Sequence, residues 1–296
     1  MKILILGGGR IGSTFAFHLS SVGHGVTIVA RGERLAALQR DRAVRTVDGR
    51  SAPVTAVPSL DPDLVADLII VTVPEHQFAP LLPALAASSA GTILLMFNSF
   101  ADTATYRAAL GGDRMALGFP KMLAFLEDDR IRFQVDAPGM IVTVSRPDLK
   151  ELFADAGLRT TVEPDMPAFL RGHAAMVVPL FVAGLWLWNR SAPLNWSEAS
   201  RLADAWAEGF ALVKRLGHPL RPGVVAVLGR FPRWLAVATM WAFSRTSGVR
   251  EVGSFGPTET RWLIDRMADA DTDIDAGPTT ARSRTSTLPH LLSLRP

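Results

Sequence analysis

The feature that most constrains this chain is a glycine-rich turn that directly follows a short apolar stretch. Lys2–Leu6 are typical of a β-strand, Gly7, Gly9 and Gly12 form the pattern GxGxxG, and Ile11–Val22 are typical of a helix. The pattern alone is a weak signal, but a strand before it and a helix after it are the context of a dinucleotide-binding unit. The simpler alternative is a strand–turn–helix corner without a ligand.

Each glycine has a separate expected task. Gly7 permits the tight turn, Gly9 lets backbone N–H groups approach a pyrophosphate, and Gly12 lets the helix pack closely on the strand. The positive end of the helix dipole favours the anionic pyrophosphate, so Arg10 and Ile11 in the turn are also predicted to contact the cofactor. No Lys-Ser/Thr pair follows Gly12, which excludes a phosphate-loop NTPase.

The end of the second predicted strand, Gly25–Ala30, favours NADP(H) over NAD(H). An NAD-binding unit usually has Asp or Glu there to bind the ribose 2′-hydroxyl, whereas this chain has Arg31, with Arg34 close behind. A guanidinium can bind a 2′-phosphate with two hydrogen bonds. Glu33 is expected to point elsewhere from the helix start, and the alternative for Arg31 is a solvated surface position.

The first half of the chain alternates strand and helix patterns, which predicts an α/β fold with an N-terminal Rossmann-type, doubly wound sheet. Buried strands are predicted at Ala66–Val73 and Thr92–Met96, and a further strand at Met115–Phe119. Val73, at the end of its strand, is a predicted cofactor contact. Other predicted elements are a helix over Gln77–Ala87, a hairpin of Val44–Val47 with Ser51–Val57 through a primed turn at Asp48-Gly49, and an antiparallel pair of Ile131–Val135 with Met140–Val144.

The second half is predicted to be an all-helical domain. The boundary falls within Val162–Pro167, which gives an NADP-binding domain over residues 1–165 and a helical substrate and dimerisation domain over 166–296. Long helices are predicted at Ala168–Trp188, Ser197–Leu216, Arg233–Arg245 and Thr258–Asp269, and residues 270–296 as a loose tail. All seven tryptophans lie in this half, where core or homodimer contacts are expected of them.

Composition excludes several classes of function. The 31 basic and 28 acidic residues form no dense basic block with interleaved aromatics, so no nucleic-acid partner is expected. The absence of cysteine excludes disulfides and thiolate metal sites and fits a cytoplasmic protein, and no Asp/Glu/His cluster suggests a metal. The apolar stretch Ala174–Trp188 is shorter than the ~20 residues of a membrane span and contains Pro179 and Gly184, which favours a core helix and no membrane partner.

With these residues in place, the chain resembles the ketopantoate reductase (2-dehydropantoate 2-reductase) family. The likeness rests on MKILILGGGRIGSTFAFHLSSVGHGVTIVARGERLAALQ, on the strand DLIIVTV, and on Asn98 at the place of the family's Asn-Gly. It covers about the first 100 residues well and the helical half in outline. The resemblance implies a Rossmann domain paired with a helical domain, an active site in the cleft between them, and reduction of a 2-oxo acid by NADPH.

The chain also departs from the family's pattern. Pro74 and Glu75 stand where the family has a lysine after the DLIIVTV strand. The family's catalytic lysine aligns with Arg171–Ala174, and the asparagine that follows it aligns with Val178. That lysine polarises the ketone and donates a proton to the alkoxide, so its loss predicts another proton donor or another substrate.

Four residues are candidates for the chemistry. Lys121, one of only four lysines, follows a predicted strand and could donate the proton or orient a carboxylate. His173 nearly replaces the missing lysine and has a suitable pKa class. Asn98 could bind the nicotinamide amide or a substrate carbonyl, and Glu251 is the candidate for the family's glutamate. The alternatives are a solvated loop lysine, a helix-capping histidine, a turn asparagine and a surface glutamate.

The leading hypothesis is an NADPH-dependent reductase that delivers hydride to a 2-oxo acid or ketone in the interdomain cleft. An imine substrate or alcohol oxidation on the same fold is the second hypothesis, because an iminium carbon needs no acid to activate it. The third is an NADP-binding sensor or scaffold without turnover, which would show preserved glycines and altered catalytic positions.

Overall fold

In the computed structural model, the described residues are 1–61, 63–188, 190–253, 256–275 and 286–296. They form two units: Met1–Phe97 with Asp102–Met166, and Asn98–Ala101 with Pro167–Pro296. The short segment Asn98–Ala101 thus groups with the helical residues, although it follows a strand of the first unit directly in sequence. A prediction with a single boundary along the chain cannot assign such a short internal segment to the second unit.

The first unit contains twelve strands among the described residues, and five helices. The strands are β1 (Lys2–Leu6), β2 (Gly25–Val29), β3 (Ala43–Arg45), β4 (Ser51–Pro53), β5 (Thr55–Val57), β6 (Leu68–Val71), β7 (Thr92–Met96), β8 (Met115–Lys121), β9 (Leu123–Glu127), β10 (Arg130–Gln134), β11 (Ile141–Val144) and β12 (Thr160–Val162). The helices are α1 (Arg10–Ser21), α2 (Gly32–Asp41), α3 (Leu82–Ala87), α4 (Thr103–Leu110) and α5 (Pro147–Asp155).

Eight strands form one sheet in the order β12-β11-β8-β7-β6-β1-β2-β5. The six strands from β8 to β5 are parallel, and β11 pairs antiparallel with β8. Every residue of β6 and β7 is buried, as expected of parallel strands covered on both faces. The chain leaves β1 toward β2 and returns beside β1 with β6, so the glycine turn after β1 lies at the point where the strand order reverses.

The predicted hairpin is only partly correct. β3 and β4 pair antiparallel, but Thr55–Val57 leave the hairpin and pair parallel with β2 at the edge of the large sheet. The turn is not of a primed type, because Gly49 has a positive φ of +87° and Asp48 does not have a positive φ.

Two other predicted elements are wrong in their partners or type. Ile131–Val135 do not pair with Met140–Val144: β10 pairs with β9, whereas β11 joins the large sheet between β8 and β12. The segment predicted as a helix over Gln77–Ala87 begins with two 3₁₀ turns, Glu75–Gln77 and Ala79–Leu81, before α3. Pro80 lacks the N–H that a continuous α-helix would need there.

The second unit is helical over its described residues. Its helices are α6 (Met166–Trp188), α7 (Trp196–Arg215), α8 (Gly223–Leu228), α9 (Arg233–Phe243), α10 (Ser247–Val252), α11 (Pro257–Asp275) and α12 (Pro289–Ser293). A capping box begins α7, in which Asn195 and Glu198 each bind the other's backbone N–H. A core of buried side chains from α6, α7, α9, α11 and α12 holds the unit together.

Helix α6 is longer than predicted and runs through both expected interruptions. Pro179 lies inside the helix, and Gly184 lets the backbone of α10 approach, since a Cβ there would lie 2.7 Å from the Val249 carbonyl oxygen. Among the described residues, α6 is the one helix that is both long enough and apolar enough to cross a membrane. However, 78% of its most apolar 18-residue stretch is buried inside the protein. That burial is typical of a core helix, the alternative favoured from the sequence.

The predicted loose tail is wrong for the parts that are described. Residues 270–275 belong to α11, and Leu288, Leu291 and Leu294 are buried in the core of the helical unit. Asp271 accepts hydrogen bonds from the side chain of Ser286 and from the backbone and side chain of Thr287. The remaining residues of the predicted tail, 276–285, lie outside the described residues.

Candidate functional site

The glycine turn brings two of the predicted glycines into contacts that only glycine allows. Gly7 has a φ of +114°, and a Cβ there would lie 2.8 Å from Thr72 Oγ1. A Cβ on Gly12 would lie 1.9 Å from the carbonyl oxygen of Gly7. The Thr72 hydroxyl lies 3.0 and 3.1 Å from the carbonyl oxygens of Leu6 and Gly7, the two acceptors available to it. Gly7 and Gly12 therefore shape the turn and hold α1 close to β1.

Gly9 has a different environment. It is the N-cap of α1 in an extended conformation, and a Cβ built on it would meet no atom within 4 Å. Packing within the described protein therefore gives no reason for a glycine at this position. No acidic residue lies in the first turn of α1. The N-terminal N–H groups and the positive end of the helix dipole lie at the open space beside Gly9, which suits an anion. The predicted residues Arg10 and Ile11 begin this helix, and both are half-buried.

Arg34 lies against the glycine turn and holds it by hydrogen bonds. Its Nε donates to the carbonyl oxygen of Gly8 at 3.0 Å, Nη2 donates to Ser13 Oγ at 2.9 Å, and Nη1 donates to the Asp129 carbonyl at 2.7 Å. Burial lowers the pKa of the Arg34 guanidinium below its usual range. Arg34 thus connects α2 to the turn as a positioning residue, a contact that sequence spacing did not predict.

Arg31 lies at the end of β2 as the exposed N-cap of α2. Its side chain makes no hydrogen bond or ion pair with any part of the chain that the structure describes. Glu33 is exposed in the first turn of α2, and Ala30 before Arg31 is buried. The end of β2 therefore presents one available guanidinium. Val73 also lies at the glycine turn, since its Cγ1 would be 3.2 Å from a Cβ on Gly7.

Lys121 lies at the same edge of the sheet, but not beside the glycine turn. It is the last residue of β8, half-buried, and pairs in register with Ile141 of β11. Three strand spacings separate β8 from β1, which is about 14 Å. Its ammonium group is near Gly139, where a Cβ would lie 3.8 Å from Lys121 Nζ. Lys121 therefore lies at the end of a strand and is half-buried, whereas the alternative was a solvated lysine in a loop.

Asn98 belongs to the helical unit, where it pairs with a residue the sequence analysis missed. Its Nδ2 donates a hydrogen bond of 2.9 Å to Glu259 Oε1, in the first turn of α11. Its Oδ1 is buried and has no hydrogen-bond partner among the described residues. A buried acceptor without a donor carries a desolvation cost, so Oδ1 suits a donor group on a ligand. Glu259 is 161 residues from Asn98 in the sequence, and no local pattern indicated that the two residues meet.

The other two predicted catalytic residues lie elsewhere in the helical unit. His173 is buried in α6 and stacks on Phe169, with ring centroids 6.0 Å apart. Glu251 lies in α10 and is half-buried. Glu259 is thus the carboxylate that accepts the hydrogen bond of Asn98. His173 lies inside α6 and is packed in the core, so it does not cap the helix, which was the alternative expected from the sequence.

A buried carboxylate follows β6. Glu75 is 3% exposed, and its Oε1 accepts a hydrogen bond of 3.1 Å from the hydroxyl of Tyr106, the chain's one tyrosine. The Tyr106 ring packs edge-on against Phe78. Glu75 thus ties α4 to the segment after β6, which explains why this position can hold an acidic residue.

The parallel sheet with its glycine turn at the strand-order reversal defines a Rossmann-type fold, which is followed in sequence by a helical unit. The sequence model of the family Ketopantoate reductase PanE/ApbA matches residues 3–143. Residues 3–143 therefore match a domain of the ketopantoate reductase PanE/ApbA family, in agreement with the resemblance seen in the sequence. The 2-dehydropantoate 2-reductase of Bacillus subtilis (strain 168) is 35% identical over 101 residues, a match that spans 33% of each chain.

Solved structures extend the likeness to the whole chain at the level of the fold. A PanE/ApbA family ketopantoate reductase from Ralstonia eutropha JMP134 has a TM-score of 0.72 at 17% identity, covering 100% of this chain and 96% of that one. D-mandelate dehydrogenase in complex with NADH has a TM-score of 0.70 at 14% identity, covering 99% and 96%. A ketopantoate reductase from Staphylococcus aureus, described as dimeric, has a TM-score of 0.65 at 13% identity, covering 100% and 96%.

Proposed function

We propose that this protein is an NADP(H)-dependent oxidoreductase that transfers hydride to the carbonyl carbon of a 2-oxo acid or ketone. The observation that carries the proposal is the open space at Gly9, at the N-terminus of α1, which a Cβ would enter without meeting any protein atom. Backbone N–H groups and the helix dipole there suit the pyrophosphate of a dinucleotide. The family domain and a structural neighbour in complex with NADH support a nicotinamide cofactor, which supplies the hydride when it is bound.

NADP(H) is proposed over NAD(H) because Arg31 is the available charge at the end of β2. In Arg31→Ala, we expect NADPH to bind roughly 10- to 100-fold more weakly, since hydrogen bonds to charged groups contribute about 1.5–3 kcal/mol. NADH affinity should not change, because NADH lacks the 2′-phosphate. Arg34→Ala is the matched control: it removes the hydrogen bonds to the glycine turn and should weaken both cofactors. Calorimetry measures both affinities, and an unchanged NADPH preference in Arg31→Ala would contradict the proposal.

For turnover, we propose Lys121 as the proton donor and Asn98 as a ligand-binding residue held by Glu259. Lys121 lies at a strand end, whereas His173 is buried against Phe169. The free acceptor of Asn98 suits an N–H or O–H group of the ligand, and Glu259 holds the amide in that orientation.

The test of turnover is NADPH oxidation, followed by absorbance, against a panel of 2-oxo acids, ketones and imines. Lys121→Ala should lower kcat by about 10²- to 10⁴-fold, the usual contribution of a general acid, and His173→Ala should lower it much less. If NADPH is oxidised with imines alone, the carbonyl substrate is wrong and the imine hypothesis holds. If NADPH binds tightly but no compound of the panel oxidises it, the enzyme hypothesis is wrong and the sensor hypothesis holds.

A homodimer through the helical unit is also part of the proposal. Large apolar side chains are exposed on α8 and α9: Val224, Val227, Trp234, Trp241 and Phe243. We propose that a second copy of this chain packs against these side chains. The Staphylococcus aureus neighbour that is described as dimeric supports this proposal.

A further inference from the structure

The helical unit contains a polar cavity that the proposed reaction does not use. Its volume is about 300 Å³, and its lining residues are Trp186, Arg190, Glu198 and Arg201. Trp186 belongs to the last turns of α6, and Glu198 and Arg201 belong to the first turns of α7. This size lies at the lower end of the range for small-molecule sites.

The one carboxylate of the cavity is already fully engaged. Arg190 binds Glu198 with two hydrogen bonds of 2.8 Å, and Glu198 Oε2 also accepts the backbone N–H of Asn195 at 2.9 Å. The hydrogen bond from Arg190 lowers the pKa of Glu198. Glu198 therefore stays ionised near neutral pH, and its single charge offsets that of Arg190, with which it forms an ion pair.

Arg201 is a second guanidinium in the cavity, and the single carboxylate Glu198 cannot neutralise both arginines. Its guanidinium carbon lies 5.3 Å from the centre of the Trp186 ring, and the side chain has no ion pair or hydrogen bond within the described ranges of the chain. The indole stabilises the cation and holds it in place, but leaves its N–H groups without acceptors. In addition, Arg190 Nε is buried and has no hydrogen-bond partner in the described part of the chain. The cavity thus has excess positive charge and unfilled donors.

We infer that this cavity is a binding site for a small organic carboxylate, held by the guanidinium of Arg201. A planar guanidinium matches the two oxygens of a carboxylate, which is why arginine backed by an aromatic ring is suited to such ligands. The polar wall and small volume favour a compact acid over a nucleotide. This inference does not depend on the proposed redox reaction, because the residues of the cavity are separate from those assigned to it.

Binding of benzoate to the full-length protein, measured by calorimetry without NADPH, tests the site. Benzamide, which has the same shape without the charge, is the ligand control. Arg201→Gln should weaken benzoate binding at least tenfold, whereas Arg230→Gln, an exposed arginine of the same unit, should not change it. Thermal unfolding of both variants should match the wild type, since Arg201 is exposed.

Three outcomes would overturn the site: no benzoate binding up to tens of millimolar, equal binding of benzamide, or equal benzoate binding in Arg201→Gln. Kinetics then distinguish the source of the natural carboxylate. If it is the substrate's own, benzoate should compete with the 2-oxo acid and Arg201→Gln should raise KM without changing NADPH affinity. If it is a separate effector, benzoate should change kcat without competing. Because NADPH binding is measured separately, failure of this site and failure of the proposed function are distinguishable.

Discussion

Gly9 and Gly12 lie three residues apart in one turn, yet a methyl group would meet opposite surroundings at the two positions. At Gly12 it would overlap the Gly7 carbonyl at 1.9 Å, and at Gly9 it would meet open space. We expect Gly12→Ala to lower the free energy of unfolding by about 2–4 kcal/mol, because helix α1 must move away from β1. Denaturant unfolding measures this loss.

Gly9→Ala is the complementary change. Its extended backbone accepts alanine, so stability should change by less than about 1 kcal/mol. NADPH affinity should nevertheless fall at least tenfold, because the methyl group enters the space assigned to the pyrophosphate. Normal NADPH binding by a folded Gly9→Ala protein would remove the main support for the proposed cofactor site.

At the scale of elements, the end of the chain is held to α11 by a buried carboxylate. Burial alone would raise the pKa of Asp271, but hydrogen bonds from Thr287, Arg215 and Ser286 outweigh it and lower the pKa below its usual range. Because the folded-state pKa is depressed, this stabilisation is complete above the unfolded pKa of about 4 and is lost as pH falls through the folded value. Acid should therefore release the segment that carries α12.

Asp271→Asn tests this connection. At pH 7 we expect a loss of about 1–3 kcal/mol in the free energy of unfolding, from weakened charge-assisted hydrogen bonds. The difference from the wild type should shrink below about pH 4, where the wild-type carboxylate also becomes protonated. Asp273→Asn, at an exposed position of the same helix, is the control. A pH-independent difference would show that the ionised form of Asp271 does not matter.

At the scale of the whole molecule, the exposed apolar face of α8 and α9 determines whether the chain is expected to self-associate. Trp234 is 65% exposed on this face, and Trp196, at the start of α7, is 53% exposed outside it. We expect the wild type to have the mass of a dimer in light scattering after size exclusion. Trp234→Glu should give a monomer, because a charge at the centre of an apolar interface cannot be paired.

Trp196→Glu should leave the mass unchanged, and both variants should unfold at the wild-type temperature. A monomeric wild type at high micromolar concentration, or a dimeric Trp234→Glu protein, would contradict association through this face.

The sequence by itself determined what depends on neighbouring residues. The glycine turn and the two strands that flank β1 follow from local sterics and hydrophobic patterning, so residue spacing alone predicted them. Tertiary structure alone decided which distant segments meet. The partners of β10 and β11, the contact of Asn98 with Glu259, and the burial of Leu288 and Leu291 depend on which surfaces exclude water together, and no local pattern specifies that.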